Sequence, residues 1–388
     1  MTIDFGSALR SACDSDPATI PEILAKAAAD LGATDVVVYL VDFGQSVLEP
    51  LPDRSAHADL PVTEAVATTM PGRAFIDQVT VTAERDDGVR VWVPLLEGSD
   101  RTGVVAVTLP AIDGRLLQAC EELGLLAGYL IAALARYTDL YNLHRRRHAM
   151  SLAASMQWDL LPPLVLKAGA IAVAGLLEPA YDVGGDCFDY AVNGSVLDFA
   201  IMDAMGHGVG SAVISALAIG RYRHDRRQGQ SLIAMHSNLG ETIEAHFNDL
   251  SFATGVLARI DIGTGELTWT NAGHPPPLLI RGGRVIMELE CKPTAPWGIP
   301  GGHPVTATEH LEPGDCVLLY TDGVTEARPS GGQQFGIERL IDLTNRNASD
   351  LLRPQDIVRR LVESVRQHQL ENTADDATIV LTRWEGPA

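Results

Sequence analysis

The chain has 388 residues, a length for two or three domains, and its 46% apolar and 20% charged content is that of a globular protein. A formal net charge of -21 argues against nucleic acid and anionic membrane surfaces as partners. The five cysteines (Cys13, Cys120, Cys187, Cys291, Cys316) are scattered without a C-x-x-C, which excludes a disulfide framework or a zinc site and fits a reducing compartment.

The first residues are acidic and lack a basic segment followed by an apolar core, so no secretory signal is read and a cytoplasmic location is expected. Pro21–Leu31 has the spacing of an amphipathic helix. Asp35–Phe43, Val89–Leu96 and Gly103–Leu109 read as strands, the last two joined by a polar turn. This α/β segment is expected to close as a domain over 1–112.

From Leu116, the positions Leu116, Cys120, Leu123, Ala127, Leu130, Leu134, Tyr137 and Tyr141 alternate steps of four and three, a heptad seam. A basic run, Arg145–His148, separates it from a second series, Ala149, Ala153, Met156 and Leu160, which Pro162–Pro163 ends. The pattern predicts a helical connector over 113–162. It is either core helix packed on the preceding sheet or the coiled coil of a homodimer that relays a signal. The run near Leu123–Ala135 is too short and interrupted to read as a membrane span.

Residues 163–388 read as a domain rich in strands. Strands are expected at Ile171–Leu177, Val196–Met202, Gly255–Asp261, Glu266–Asn271, Leu278–Leu289, Cys316–Tyr320 and Thr378–Arg383. Helices are expected at Ser211–Arg226, Ser231–Asp249, Ile337–Thr344 and Pro354–Gln369. Inserted helix pairs predict an α+β fold in which sheets are covered by helices.

Carboxylates stand at four comparable points, each beside a strand end or a tight turn. Asp186 follows Gly184–Gly185, Asp203 ends Phe199–Asp203, Asp322 ends Cys316–Asp322, and the doublet Asp375–Asp376 precedes Ala377–Leu381. Carboxylates at the ends of apolar strands are costly unless paired, and several together repel one another unless a cation intervenes. An all-oxygen set suits Mg²⁺ or Mn²⁺.

The segments QWDLLPP (Gln157–Pro163), YDVGGDCFDY (Tyr181–Tyr190), DAMGHGVGSAV (Asp203–Val213), FATGVLARID (Phe252–Asp261), NAGHPPPLL (Asn271–Leu279), PWGI (Pro296–Ile299), LLYTDGVTEAR (Leu318–Arg328) and DDATIVL (Asp375–Leu381) occur in this order. Together they resemble the SpoIIE-type phosphatase domain, a branch of the metal-dependent type 2C protein phosphatases. The resemblance covers about residues 150–385 and implies an αββα sandwich. It also implies hydrolysis of phosphoserine or phosphothreonine on a regulatory protein, an anti-sigma-factor antagonist or similar phosphoprotein, by an activated water.

By this resemblance Asp203 bridges two Mn²⁺ or Mg²⁺ ions and the Ala204 carbonyl adds a ligand. Asp186 holds the first ion directly or through water, and Asp322 and Asp375 hold the second, with Asp376 the alternative to Asp375. His207 is a candidate to protonate the leaving group, against the plainer role of a loop histidine, and His274 is expected to be structural. Tyr181, Asp182 and Asp189 are expected to shape the loop. Cys187, Phe188, Met205 and Trp297 depart from the family pattern without removing a ligand. The order of elements before residue 112 resembles a GAF sensor domain. Two other readings stay open: a metal-binding scaffold without turnover, and a hydrolase of small phosphoesters.

Overall fold

The computed structural model describes residues 4–52, 62–178, 181, 184–247, 251–328, 332–347, 352–369 and 376–387. The chain divides into two compact units, Met1–Ala149 and Met150–Ala388.

In the first unit, α1 (Phe5–Asp14) and α2 (Ile20–Ala29) precede β1 (Asp35–Val41), β2 (Val47–Pro50) and β3 (Glu64–Ala65). Then follow α3 (Met70–Asp77), β4 (Val81–Arg85), β5 (Gly88–Glu97), β6 (Asp100–Leu109), α4 (Gly114–Leu134) and α5 (Leu140–His144). The strands form one antiparallel sheet in the order β3-β2-β1-β6-β5-β4. Because strand side chains alternate between faces, Val36, Val38, Val91, Val93, Val105 and Val107 pack with α1, α2 and α4, while Val37, Tyr39, Trp92, Val104 and Ala106 pack with Phe75 of α3 on the other face.

The expectation of one helix from Leu116 to Leu160 is corrected. Three helices occupy this stretch: α4, α5 and α6 (Leu152–Leu160). Cys120, Leu123, Ala127 and Leu130 of the heptad seam are buried under the sheet. Heptad periodicity reports that a helix has one apolar face and does not specify what covers it. The basic run is spent locally: Arg145 Nε donates to the Val41 carbonyl at 2.9 Å, and its guanidinium lies over the Phe43 ring. By length and composition α4 could cross a membrane, but here it is a core helix of this unit. A Cβ on Gly128 would stand 2.4 Å from the Leu96 carbonyl oxygen, so glycine lets the helix approach the strand. Gly128→Ala is therefore expected to destabilise the unit by about 2 kcal/mol, against the ~1 kcal/mol that alanine gains in a free helix. Thermal unfolding of the variant tests this.

The second unit is a sandwich. After α6 come β7 (Val165–Ala168), β8 (Ile171–Glu178), β9 (Asp186–Asn193), β10 (Val196–Ala204), α7 (Val209–Arg227), α8 (Leu232–His246), β11 (Ala253–Asp261) and β12 (Glu266–Ala272). Then follow β13 (Leu278–Arg281), β14 (Arg284–Glu288), β15 (Ala307–His310), β16 (Cys316–Tyr320), α9 (Asp322–Glu326), α10 (Ile337–Asn347), α11 (Pro354–Gln369) and β17 (Ala377–Trp384). One sheet runs β15-β12-β11-β10-β9 and the other β14-β13-β16-β17-β8-β7.

The apolar residues between the sheets include Phe188, Phe199, Ile201, Val256, Leu318 and Ile379. Helices α7 and α8 close the outer face of the first sheet over Ala200, Met202 and Leu257. Ile357, Leu361 and Val365 of α11 belong to the apolar cluster that includes the second sheet. This is the expected αββα arrangement. The single strand read at Leu278–Leu289 is a hairpin, turned at Gly282 and Gly283, both with positive φ. The short strands β7 and β15 carry too few residues to show a period in the sequence.

Candidate functional site

The site grows from the adjoining strands β9 and β10. Their antiparallel register sets Asp186, the first residue of β9, opposite Asp203 near the end of β10. Met202 and Ala204 belong to the helix-covered cluster and Ile201 to the inter-sheet core, so alternation places Asp203 on the inter-sheet side. Asp186 is 2% exposed. Its carboxyl group is held well above the usual carboxylate range, first by burial, then by the charges of Asp203 and Asp376. Like charges directly opposite across a strand pair destabilise it.

The glycines that precede Asp186 allow the close approach. A Cβ on Gly185 would lie 2.1 Å from the Ala204 carbonyl oxygen. The Gly185 carbonyl accepts from the Ser215 hydroxyl and, at 3.2 Å, from the Ala204 N–H.

The second sheet contributes from the ends of β16 and β17. Thr321, fully buried between β16 and α9, donates its hydroxyl to Asp186 Oδ2 at 2.6 Å and accepts the Thr378 N–H at 3.0 Å. Asp322 follows as the first residue of α9. Asp376 directly precedes β17, and its Oδ2 accepts the Gly184 N–H at 2.5 Å and the Asp186 N–H at 3.4 Å. Asp375 lies outside the described residues, as does Asp182.

Two residues at this site were not singled out in the sequence, although both lie inside quoted segments. Thr321 belongs to the Thr-Asp-Gly turn. Gln157 of α6 is fully buried and donates from Nε2 to the Asp186 carbonyl at 2.5 Å. A glutamine on a helix flanked by apolar residues gives no sign of its partner.

The other sequence candidates separate clearly. Asp189 is buried and paired with Arg223 and Arg226, each at 2.8 Å, so it serves the framework. His207 stands exposed in the turn after Asp203. His274 is buried, with Nε2 3.1 Å from the Tyr320 carbonyl and Nδ1 2.9 Å from Thr254 Oγ1. A carbonyl only accepts, so Nε2 carries the proton and Nδ1 accepts from the threonine. The Asn271 amide holds the His274 backbone at both its N–H and its carbonyl. Burial lowers the His274 pKa to about 4.

His236 on α8 is also held neutral by burial, its pKa lowered to about 4, with its ring nitrogens on Thr270 and Thr294. Below the unfolded value of about 6.5, the unfolded chain binds a proton that the folded site refuses. Stability is therefore complete above that pH and falls as pH drops toward about 4, by up to roughly 3 kcal/mol for this group. Urea unfolding from pH 7.5 to 4.5 is expected to show this loss, with a shallower fall in His236→Gln.

Among the described residues no three His, Cys, Asp or Glu side chains are gathered closely enough to enclose an ion. The donor chemistry nevertheless fits a hard divalent cation. Asp186 and Asp203 oppose each other across β9 and β10, and Asp322 adjoins the threonine bonded to Asp186. A cation is what relieves such repulsion.

Residues 193–385 match the family model described as Stage II sporulation protein E (SpoIIE). The chain is 24% identical over 269 residues to phosphoserine phosphatase RsbU of Bacillus subtilis, covering 66% of this chain and 78% of that protein. It is 25% identical over 204 residues to phosphoserine phosphatase RsbP of the same organism, covering 49% of this chain and 48% of that protein. Among solved structures, the SiaA-PP2C domain of Pseudomonas aeruginosa superposes with a TM-score of 0.51 at 22% identity, covering 60% of this chain and 94% of that one.

Proposed function

We propose that this chain, whose residues 193–385 match the SpoIIE family model, hydrolyses phosphoserine or phosphothreonine on a regulatory protein. The observation that carries the reading is the Asp186–Asp203 pair, opposed across β9 and β10 and joined to the second sheet through Thr321. Asp203, the Ala204 carbonyl and Asp186 would hold one divalent ion, and Asp203, Asp322 and Asp375 the second. Asp376 Oδ2 accepts from the Gly184 and Asp186 N–H groups, which supports a positioning role for it, with Asp376 itself the alternative ligand to Asp375. Two Mn²⁺ or Mg²⁺ ions would lower the pKa of a water to near neutrality and neutralise charge on the phosphoryl oxygens.

The chain's own residues prepare that chemistry. Thr321 orients the Asp186 carboxylate and Gln157 fixes its main chain. Asp376 holds the Gly184–Asp186 turn. The substrate class we infer is an anti-sigma-factor antagonist or similar phosphoprotein, in line with the phosphoserine phosphatases RsbU and RsbP. The first unit would act as a GAF-like sensor: its antiparallel sheet with helices on both faces supports that reading. We infer a cytoplasmic location, which the five free cysteines support.

Phosphate release from phosphoserine-bearing antagonist proteins, measured with Mn²⁺, Mg²⁺ or EDTA, tests the proposal. Release is expected with a divalent ion and not with EDTA. Ion binding without release from any phosphoprotein would favour a scaffold. Release from aryl phosphate alone would favour a small-phosphoester hydrolase.

A further inference from the structure

Helix α4 turns one face to the sheet and leaves the other in water. Of its most apolar 18-residue stretch, 44% is buried. The buried side carries Cys120, Leu123, Ala127 and Ile131 into the core of the first unit. On the opposite side Leu125 and Tyr129 are 47% and 56% exposed, four residues apart and so neighbours on the helix surface. Ala133, four residues further on, is exposed as well, and Leu126 and Ala132 at the borders of this stripe are half-buried. A charge closes each end. Glu122 stands seven residues before Tyr129, and Arg136 seven residues after it, in the turn that follows α4. An apolar stripe of this kind on a soluble protein marks a surface that something covers.

The order of residues along the stripe says what covers it. Seven residues are close to two full helical turns, so Glu122, Tyr129 and Arg136 lie along one line, with each charge about 10 Å from the tyrosine. Read backwards, the stripe is complementary to itself. A second copy laid antiparallel with Tyr129 on the two-fold axis sets Leu125 against Ala133, Leu126 against Ala132 and Glu122 against Arg136, each pair twice. Large side chains then face small ones, and opposite charges meet. A parallel copy would crowd leucine on leucine, leave alanine facing alanine, and set Glu122 on Glu122 and Arg136 on Arg136, which like-charge repulsion opposes. The charges are available for such pairing: among the described residues Arg136 makes no ion pair, and Glu122 is met by the Gln118 amide at 3.1 Å. A lipid surface would also take an apolar stripe, but the net charge of -21 disfavours an anionic one.

We propose that the outer face of α4 is a two-fold interface that binds the same face of a second copy of this chain, antiparallel and centred on Tyr129. The heptad seam is the other face of the same helix and takes no part in it. The interface belongs to the first unit and stands independently of the reaction that the second unit performs.

Sedimentation equilibrium of the full chain tests this. A mass of twice 41.5 kDa is expected at micromolar concentration. Tyr129→Glu, on an exposed position, is expected to keep the fold by circular dichroism and to weaken self-association at least about tenfold, as loss of a central aromatic does. Arg136→Glu should weaken it too, and the exchange Glu122→Arg with Arg136→Glu should restore it, a rescue that a merely damaged surface would not give. Orientation is read by oxidative cross-linking in a Cys13→Ser background, which removes the exposed native thiol. Tyr129→Cys alone is expected to join two copies. Leu125→Cys and Ala133→Cys are each expected to stay unlinked alone and to link when the two proteins are mixed. A chain that sediments as a monomer throughout, or a dimer indifferent to Tyr129→Glu, would overturn the interface. Linking of Leu125→Cys to itself would overturn the antiparallel arrangement. A monomer that floats with lipid vesicles, and loses them in Tyr129→Glu, would overturn the proposal in favour of a membrane surface.

Discussion

Asp203→Asn is expected to release phosphate from a phosphoserine substrate about a thousandfold more slowly than the unaltered chain, or not at all. Metal stabilisation of transition-state charge is worth several kcal/mol, and each 1.36 kcal/mol is a tenfold change in rate. The structure adds an outcome that a merely damaged protein would not give. Asp203 opposes Asp186 across β9 and β10, and its charge raises the Asp186 pKa. Without a cation, removing one of the two charges relieves repulsion. In EDTA the variant should therefore melt at or above the temperature of the unaltered chain. With Mn²⁺ the unaltered chain should gain stability by mass action, and the variant should gain much less. A variant that melts lower in EDTA and responds fully to Mn²⁺ would show that Asp203 is a framework residue.

The second large effect is expected at Gly323. A Cβ there would stand 1.7 Å from the Asp376 carbonyl oxygen, and the obstacle is backbone that has no rotamer to change. Asp376 holds the Gly184 and Asp186 N–H groups through its carboxylate. Displacing it moves the turn that places Asp186. Gly323→Ala is thus expected to cost about 3 kcal/mol or more and to lower phosphate release together with stability. Gly220, exposed on α7 with open space around it, provides the control. Gly220→Ala should stabilise by up to about 1 kcal/mol and leave turnover unchanged. Chemical denaturation and phosphate release measured on both variants give the comparison. A Gly323→Ala protein with unaltered stability would refute the close packing of α9 against the start of β17.

Several features of this protein were fixed by its sequence alone. Alternation and apolar runs located the central strands of both units, because a half-buried strand must repeat with period two. Carboxylates closing apolar runs at Asp203 and Asp322, and following a glycine pair at Asp186, marked the candidate site, since such positions are costly without a partner. The ordered motifs then pointed to the SpoIIE-type domain, and the family model matched residues 193–385.

Other features only the tertiary structure decided. The heptad seam from Leu116 fits a dimer coiled coil and a core helix equally well, and the burial of Cys120, Leu123 and Ala127 under a sheet distinguishes the two. Gln157 and Thr321 reach Asp186 across 29 and 135 residues of sequence. The same folding pairs Trp297 with Ala253 at the start of β11. Local sequence reports which surfaces must be buried and which charges must be compensated. Which residue does the burying or the compensating is set by strand register and loop closure over long separations, and local periodicity carries no record of either.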